Sequence, residues 1–222
     1  RKLGNLYEHP PHNQLPPQTL ATGFQQIPWN PVTNTGTRYA YNDRDGSTYY
    51  DKQYPLQIGS LDKAFHDASY TVQPLPFADM RDTYFLINGR GYPDTADPNP
   101  ITTGTSTRPA QNVSSLITAT AGERILLRIS NLNVTQFNTL GTNGPPMEVV
   151  ALDARILRAD DGTQMYYKTN SLTLGGGQSA DVIIDTTGLT SGTTFFLYST
   201  NLEMLANHHD NFGGMMTEIR IN

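Results

Sequence analysis

Short β-prone runs recur along the chain between clusters of Gly, Pro, Asn and Asp, at residues 54–58, 70–72, 84–87, 115–118, 124–130, 147–157, 171–174, 180–185, 194–199 and 216–221. This spacing predicts the strands of a sandwich or barrel. Within 124–129 the alternation is explicit: Ile125, Leu127 and Ile129 share one face, and Arg124, Leu126 and Arg128 share the other. Val182-Ile183-Ile184 and Phe195-Phe196-Leu197 are apolar on both faces, which predicts central strands covered on both sides. Asn88-Gly89 and Asp160-Asp161-Gly162 supply the positive φ that tight turns need. No segment has a 3.6-residue period, and 61–69 alone suggests a short helix.

The first 40 residues break this pattern. They are rich in Pro and Gln, and Pro10-Pro11 and Pro16-Pro17 favour extended backbone. An extended N-terminal arm or linker over 1–40 is expected, followed by one β domain over 41–222. Leu15, Leu20, Phe24, Ile27 and Trp29 predict that the arm lies against the domain or a neighbour. Residues 97–109 read as an exposed loop. The start at Arg1, without a leader, suggests an excised or processed piece.

Composition narrows the function. The net charge of -5 is modest and Lys and Arg are scattered, which argues against a nucleic-acid partner. No apolar run approaches the roughly 20 residues that a membrane-spanning helix needs. With Cys 0, disulfides, thiolate nucleophiles and every metal site built on a sulfur anion are excluded.

The segment Ile87-Asn88-Gly89-Arg90, followed by Pro93-Asp94-Thr95, resembles the INGR…PDT motif near the start of the second cupredoxin domain of multicopper oxidases. Ala121-Gly122-Glu123 with Leu127-Arg128-Ile129-Ser130-Asn131 is similar to the strand that follows it there. Residues 172–182, centred on Gly175-Gly176-Gly177, and 148–153, with Ala154 where the family reads Gly, continue the resemblance in family order over roughly 40–222. It implies an all-β, cupredoxin-like Greek-key sandwich, with turns and core alternation as the role of these motifs. It also implies a laccase-like parent that couples substrate oxidation to dioxygen reduction with copper, flanking cupredoxin domains as partners, and export to the periplasm, outer membrane or exterior.

In the family's copper-bearing domain the last hairpin carries His-Cys-His, a further His, then Gly-Met-Met or Gly-Leu. Here Ser199-Thr200-Asn201 stands in place of His-Cys-His, with Thr200 at the thiolate position, and His208-His209 precedes Gly213-Gly214-Met215-Met216. No His-X-His occurs. The resemblance therefore implies no catalytic, cofactor-binding or metal residues in this chain, with copper confined to the parent, and Met215 and Met216 as strand packing.

Other candidates have simpler readings. His208 and His209, if extended, point to opposite faces; in a loop they could share an ion. His9 and His12 lie on the arm, and His66 beside Asp67 is a common surface pair. Asp160, Asp161 and Asp185 fall in predicted turns. Asn112-Val113-Ser114 and Asn133-Val134-Thr135 match the glycan acceptor pattern. The leading function is a copper-free structural spacer. The alternative is a β-sandwich module that binds a glycan or protein through exposed Tyr39, Tyr41, Tyr49 and Tyr50.

Overall fold

The computed structural model describes residues 38–41, 45–102 and 111–222. His9, His12 and most of the expected arm lie outside them. In chain order the strands are β1 (Arg38–Tyr39), β2 (Tyr49–Tyr50), β3 (Lys52–Leu61), β4 (Tyr84–Ile87), β5 (Ile117–Ala119), β6 (Arg124–Asn131), β7 (Asn138–Thr142), β8 (Met147–Leu152), β9 (Arg155–Ile156), β10 (Tyr167–Thr169), β11 (Ser171–Leu174), β12 (Ser179–Asp185), β13 (Thr194–Ser199) and β14 (Met216–Ile221). One helix, α1 (Lys63–Tyr70), lies between β3 and β4.

The chain divides into two compact units, residues 1–49 and 50–222. In the first, Thr48 Oγ1 donates to Tyr41 O at 2.9 Å, and Ala40 N–H donates to Thr48 O at 2.9 Å. The second is a two-layer sandwich. One layer is a seven-stranded sheet in the order β10-β8-β12-β6-β3-β4, with β9 on β8; the other is a five-stranded sheet in the order β11-β7-β13-β14-β5. Neighbours are antiparallel except β3 with β6 and β14 with β5.

The core fills the gap between the sheets. Ile125, Leu127 and Ile129 of β6 face it with Val182 and Ile184 of β12, while Leu197, Ile219 and Leu140 enter from the opposite layer. On the outer face of β6, Arg124 pairs with Glu148 at 3.6 Å and Arg128 with Asp181 at 3.2 Å, flanking the buried Leu126. Val182-Ile183-Ile184 is buried throughout, as its two-sided apolar pattern predicts. β13 is also central, between β7 and β14, but Phe195 and Phe196 remain half-buried, the Phe196 ring meeting that of Tyr92 edge-on with centroids 6.4 Å apart.

Several sequence expectations are corrected. Residues 70–72 are not a strand. They close α1, where Gln73 N–H donates to Ala68 O at 2.8 Å and Val72 takes φ 57°, the left-handed position usually given to glycine after a helix. The run 147–157 breaks into a hairpin at Asp153 and Ala154, both at positive φ. β7 and β10 lack a readable pattern because Asn-Thr-Leu-Gly-Thr and Tyr-Lys-Thr carry little apolar alternation. The tyrosines named for a binding surface are not exposed: Tyr50 is buried and Tyr39, Tyr41 and Tyr49 are half-buried.

Asp160 and Asp161 fall in a turn as expected, whereas Asp185 is the last residue of β12. Asp161 Oδ1 accepts from Thr163 N–H at 2.9 Å, and Asp185 Oδ1 accepts from Thr187 N–H at 2.9 Å. At Asn88-Gly89 both residues have positive φ, and Asn88 Oδ1 accepts from Gln57 N–H at 2.8 Å, tying the turn to β3.

Arg90 follows that turn and is 1% exposed. Its Nη1 donates to the carbonyls of Asp94 at 3.1 Å and Asp97 at 2.7 Å, and its Nη2 to those of Asn99 at 2.8 Å and Gln111. One cation thus replaces water for four backbone carbonyls. Arg90→Met should lower unfolding stability by about 3 kcal/mol or more, because each stranded carbonyl costs roughly 1–3 kcal/mol. Arg90→Lys should recover less than half of that, its ammonium lacking the planar fork. Urea unfolding would show both as midpoint shifts at constant m.

Candidate functional site

Four loops converge at one end of the sandwich. β3 leads into residues 62–83, β6 into 132–137, β11 into 175–178 and β13 into 200–215. β3 and β6 run parallel, and β7, β11 and β13 pair so that Leu174 faces Asn138 and Ser199 faces Leu140, which places all four at the same end. This is the end where the sequence frame sets the chemistry-bearing hairpin.

Asn131, the last residue of β6, organises two of these loops from a fully buried position. Its Nδ2 donates to Leu174 O at 2.7 Å, and its Oδ1 accepts from Asn133 N–H at 2.9 Å and Asn138 Nδ2 at 3.2 Å. Gly176 lies so close that a Cβ there would come within 2.1 Å of Asn133 O.

Asp82 and Asp62 order the third loop. Asp82 Oδ2 accepts from Ser60 Oγ at 2.6 Å and from Thr135 Oγ1, joining 62–83 to 132–137. Asp62 caps α1: its Oδ1 accepts from Phe65 N–H at 3.2 Å, and its Oδ2 from Arg81 N–H at 2.7 Å. The Arg81 amide is the main reason the Asp62 carboxyl is held below its ordinary range, with the Phe65 amide adding to it against the cost of burial.

The fourth loop is sewn to the INGR turn. Asn207 is buried, and its Oδ1 accepts from Phe85 N–H at 2.7 Å. Tyr92 N–H donates to Gly214 O at 3.0 Å, and His208 N–H to Thr83 O at 2.9 Å. Gly91 is required by proximity, since a Cβ would stand 2.1 Å from Gly213 O and 2.6 Å from Asn207 Nδ2. No motif marks Asn207 as an anchor; a lone Asn beside two His carries no pattern.

The inward position at the end of β13 belongs to Ser199, not to Thr200. Leu197 and Ser199 are buried, whereas the Thr200 side chain is exposed and its N–H donates to Thr139 O at 2.9 Å. Period-two alternation explains this, because β13 stays in register up to Ser199. Ser199 Oγ donates to Met204 Sδ at 3.4 Å, and both Met204 and Met215 belong to the core cluster. This interior offers one neutral hydroxyl and thioethers, with no thiolate anywhere in the sequence, so the residues present do not fit a blue copper. Met215 packs in the core and Met216 opens β14, as expected of strand packing.

The other candidates separate cleanly. His208 and His209 sit on an exposed turn between Asn207 and Asp210, with His208 at φ 50° and the two rings 3.8 Å apart, so the pair lies in a loop and not in an extended strand. Among the described residues no group of three His, Cys, Asp or Glu is placed to hold a metal ion. His66 is exposed on α1, and the Asp67 carboxylate beside it pairs with Lys63 one turn back.

The two glycan acceptor patterns differ in access. Asn112 is exposed. Asn133 is 1% exposed, its Oδ1 accepting from Thr135 N–H at 2.8 Å and Gln136 N–H at 3.1 Å, while its Nδ2 is buried without a partner among the described residues.

Two outcomes follow from these contacts. The lowered Asp62 carboxyl stabilises the folded loop fully above the ordinary carboxylate range near 3.9 and loses that effect as pH falls below it. Cα chemical shifts of residues 63–70 should therefore move toward coil values on acidification, and Asp62→Ala should show the same shifts at neutral pH. In a glycosylating eukaryotic host, the folded secreted protein should carry a glycan on Asn112 and none on Asn133. Intact mass should fall by that glycan in Asn112→Gln and stay unchanged in Asn133→Gln.

Comparison with known proteins agrees with this geometry. The family model described as multicopper oxidase matches residues 3–213. No curated protein sequence matches the chain. Among solved structures, the fold is similar to a blue copper oxidase from Nitrosomonas europaea, with TM-score 0.57, 17% identity and coverage of 78% of this chain and 44% of that one. It is also similar to the multicopper oxidase mgLAC, with TM-score 0.58, 16% identity and coverage of 78% and 44%. A third is Fet3p, a multicopper oxidase that functions in iron import, with TM-score 0.50, 13% identity and coverage of 78% and 28%. The chain thus spans less than half the length of these relatives, and at such identities the likeness establishes the cupredoxin-like fold alone. The family match over almost the whole chain supplies the rest: this chain belongs to the multicopper oxidase family.

Proposed function

We propose that the chain serves as a copper-free cupredoxin-like domain that spaces and orients the copper-bearing domains of an exported oxidoreductase, one that couples substrate oxidation to dioxygen reduction. The observation that carries this reading is the interior at the end of β13, where Ser199 and Met204 meet at 3.4 Å and Met215 packs beside them in the core. Blue copper requires a thiolate and two imidazoles around one point. Here the space is packed with uncharged side chains, and the histidines of the same loop are exposed on its outer turn. The partners in this reading are flanking cupredoxin domains of the same polypeptide, and neither nucleic acid nor a membrane span takes part. No helix among the described residues is long and apolar enough to cross a membrane.

The test is direct. The purified chain is loaded with Cu(II), exchanged into metal-free buffer, and examined by elemental analysis, absorption and electron paramagnetic resonance. Substoichiometric copper without an intense thiolate-type band is the expected result. Stoichiometric retained copper with such a band would overturn the reading.

A further inference from the structure

Exposed large apolar side chains are scattered singly over most globular surfaces, and a concentration of them marks an interface. Here the concentration is at the loop end. Val72 is 89% exposed, Val134 88%, Tyr70 85%, Leu202 76%, Phe137 72% and Phe77 70%, and all six lie on the loops between β3 and β4, β6 and β7, and β13 and β14. Among the described residues only Val113, Met165 and Tyr167 are comparably exposed elsewhere.

Further features mark this end. Residues 132–137 with Gly176 and Gly177 wall a cleft of about 500 Å³, large enough to receive side chains of another surface. Two carboxylates of these loops are turned inward, Asp62 on the Phe65 and Arg81 amides and Asp82 on Ser60 and Thr135, while Asp67, Asp79, Glu203 and Asp210 stay exposed. α1 buries none of its residues, although Phe65 holds Phe77 edge-on at 5.0 Å. At Val72 a β-branched residue is kept in a left-handed conformation that glycine would adopt without strain.

We infer that this loop end is a docking surface for another β-sandwich domain of the same polypeptide, with Val134 and Phe137 at the cleft and Tyr70, Val72 and Phe77 on the helical excursion as its apolar contacts. The inference rests on the spacer reading and says which surface does the spacing. The occupant is argued from chain length: the structural relatives devote more than half of their chains to regions this chain does not cover, since it covers 44% of each of the first two. A modest net charge of -5 also leaves this chain without strong electrostatic selection for a highly charged partner.

The complete polypeptide encoded with this chain and the 222-residue chain alone are compared by hydrogen exchange. In the complete polypeptide, amides of 132–137 and 202–212 should exchange at least tenfold more slowly than in the chain alone, and Val134→Asp with Phe137→Asp should abolish the difference. Circular dichroism of the doubly substituted chain alone serves as the control for folding. Equal exchange in the presence of further sandwich domains would overturn this inference while leaving the spacer reading standing. A complete polypeptide without further cupredoxin domains would overturn both. A dimer of the chain alone in sedimentation velocity, dissolved by the same two substitutions, would assign the surface to a second copy and overturn the inference.

Discussion

The fold depends on a buried guanidinium. Arg90 leaves the β4 turn and gathers the carbonyls of Asp94, Asp97, Asn99 and Gln111, so these backbone segments are tied to the sandwich. Taking a full charge out of water is costly, and here four carbonyl dipoles take the place of its hydration. The residues ordered this way then fix the closing strand: Thr95 Oγ1 donates to Met216 O at 2.6 Å, Thr217 Oγ1 donates to Ser115 O at 2.9 Å, and Tyr92 OH donates to Glu218 Oε1 at 3.0 Å. The Arg of the INGR motif is therefore a structural ligand of backbone, and Gly91 next to it permits the approach to Gly213.

Strands with one buried face were legible because burial writes a period of two into the sequence, as in Ile125, Leu127 and Ile129. Strands at the margins were not. β10 lies at the edge of its sheet, with Tyr167 and Lys168 exposed, and nothing in Tyr-Lys-Thr distinguishes it from a loop. Residues 70–72 read as a strand because Tyr, Thr and Val favour one, yet the Asp62 cap and the bond from Gln73 to Ala68 make them the end of a helix. Local hydrogen bonds outweighed propensity there.

At the site, the missing chemistry was legible from composition and the geometry was not. The absence of cysteine settles the thiolate question without coordinates. Which residue faces inward required the register of β13, since aligning Ser199-Thr200-Asn201 with a three-residue motif says nothing about where the strand stops alternating. The anchors of the loop end, Asn131, Asn207 and Asp82, are polar residues whose partners, the Asn133 amide apart, lie from 7 to 122 positions away in sequence. No local pattern encodes such pairs.

A loop end held by so many internal polar contacts faces a division of labour. Each Asp or Asn that turns inward to satisfy backbone amides fixes a loop, and it also gives up its role of keeping the outer surface hydrated. Asp82 illustrates both sides: its carboxylate joins Ser60 to Thr135, while Val134, one residue away from Thr135, stands 88% exposed. A blue copper would need a thiolate and imidazoles to organise the corresponding interior. Here two methionines and a serine fill it, so order at this end comes from side chain to backbone bonds, and the apolar surface they leave outside is stable as a shape before anything is pressed against it. Preorganised apolar loops of this kind lose little conformational entropy on burial.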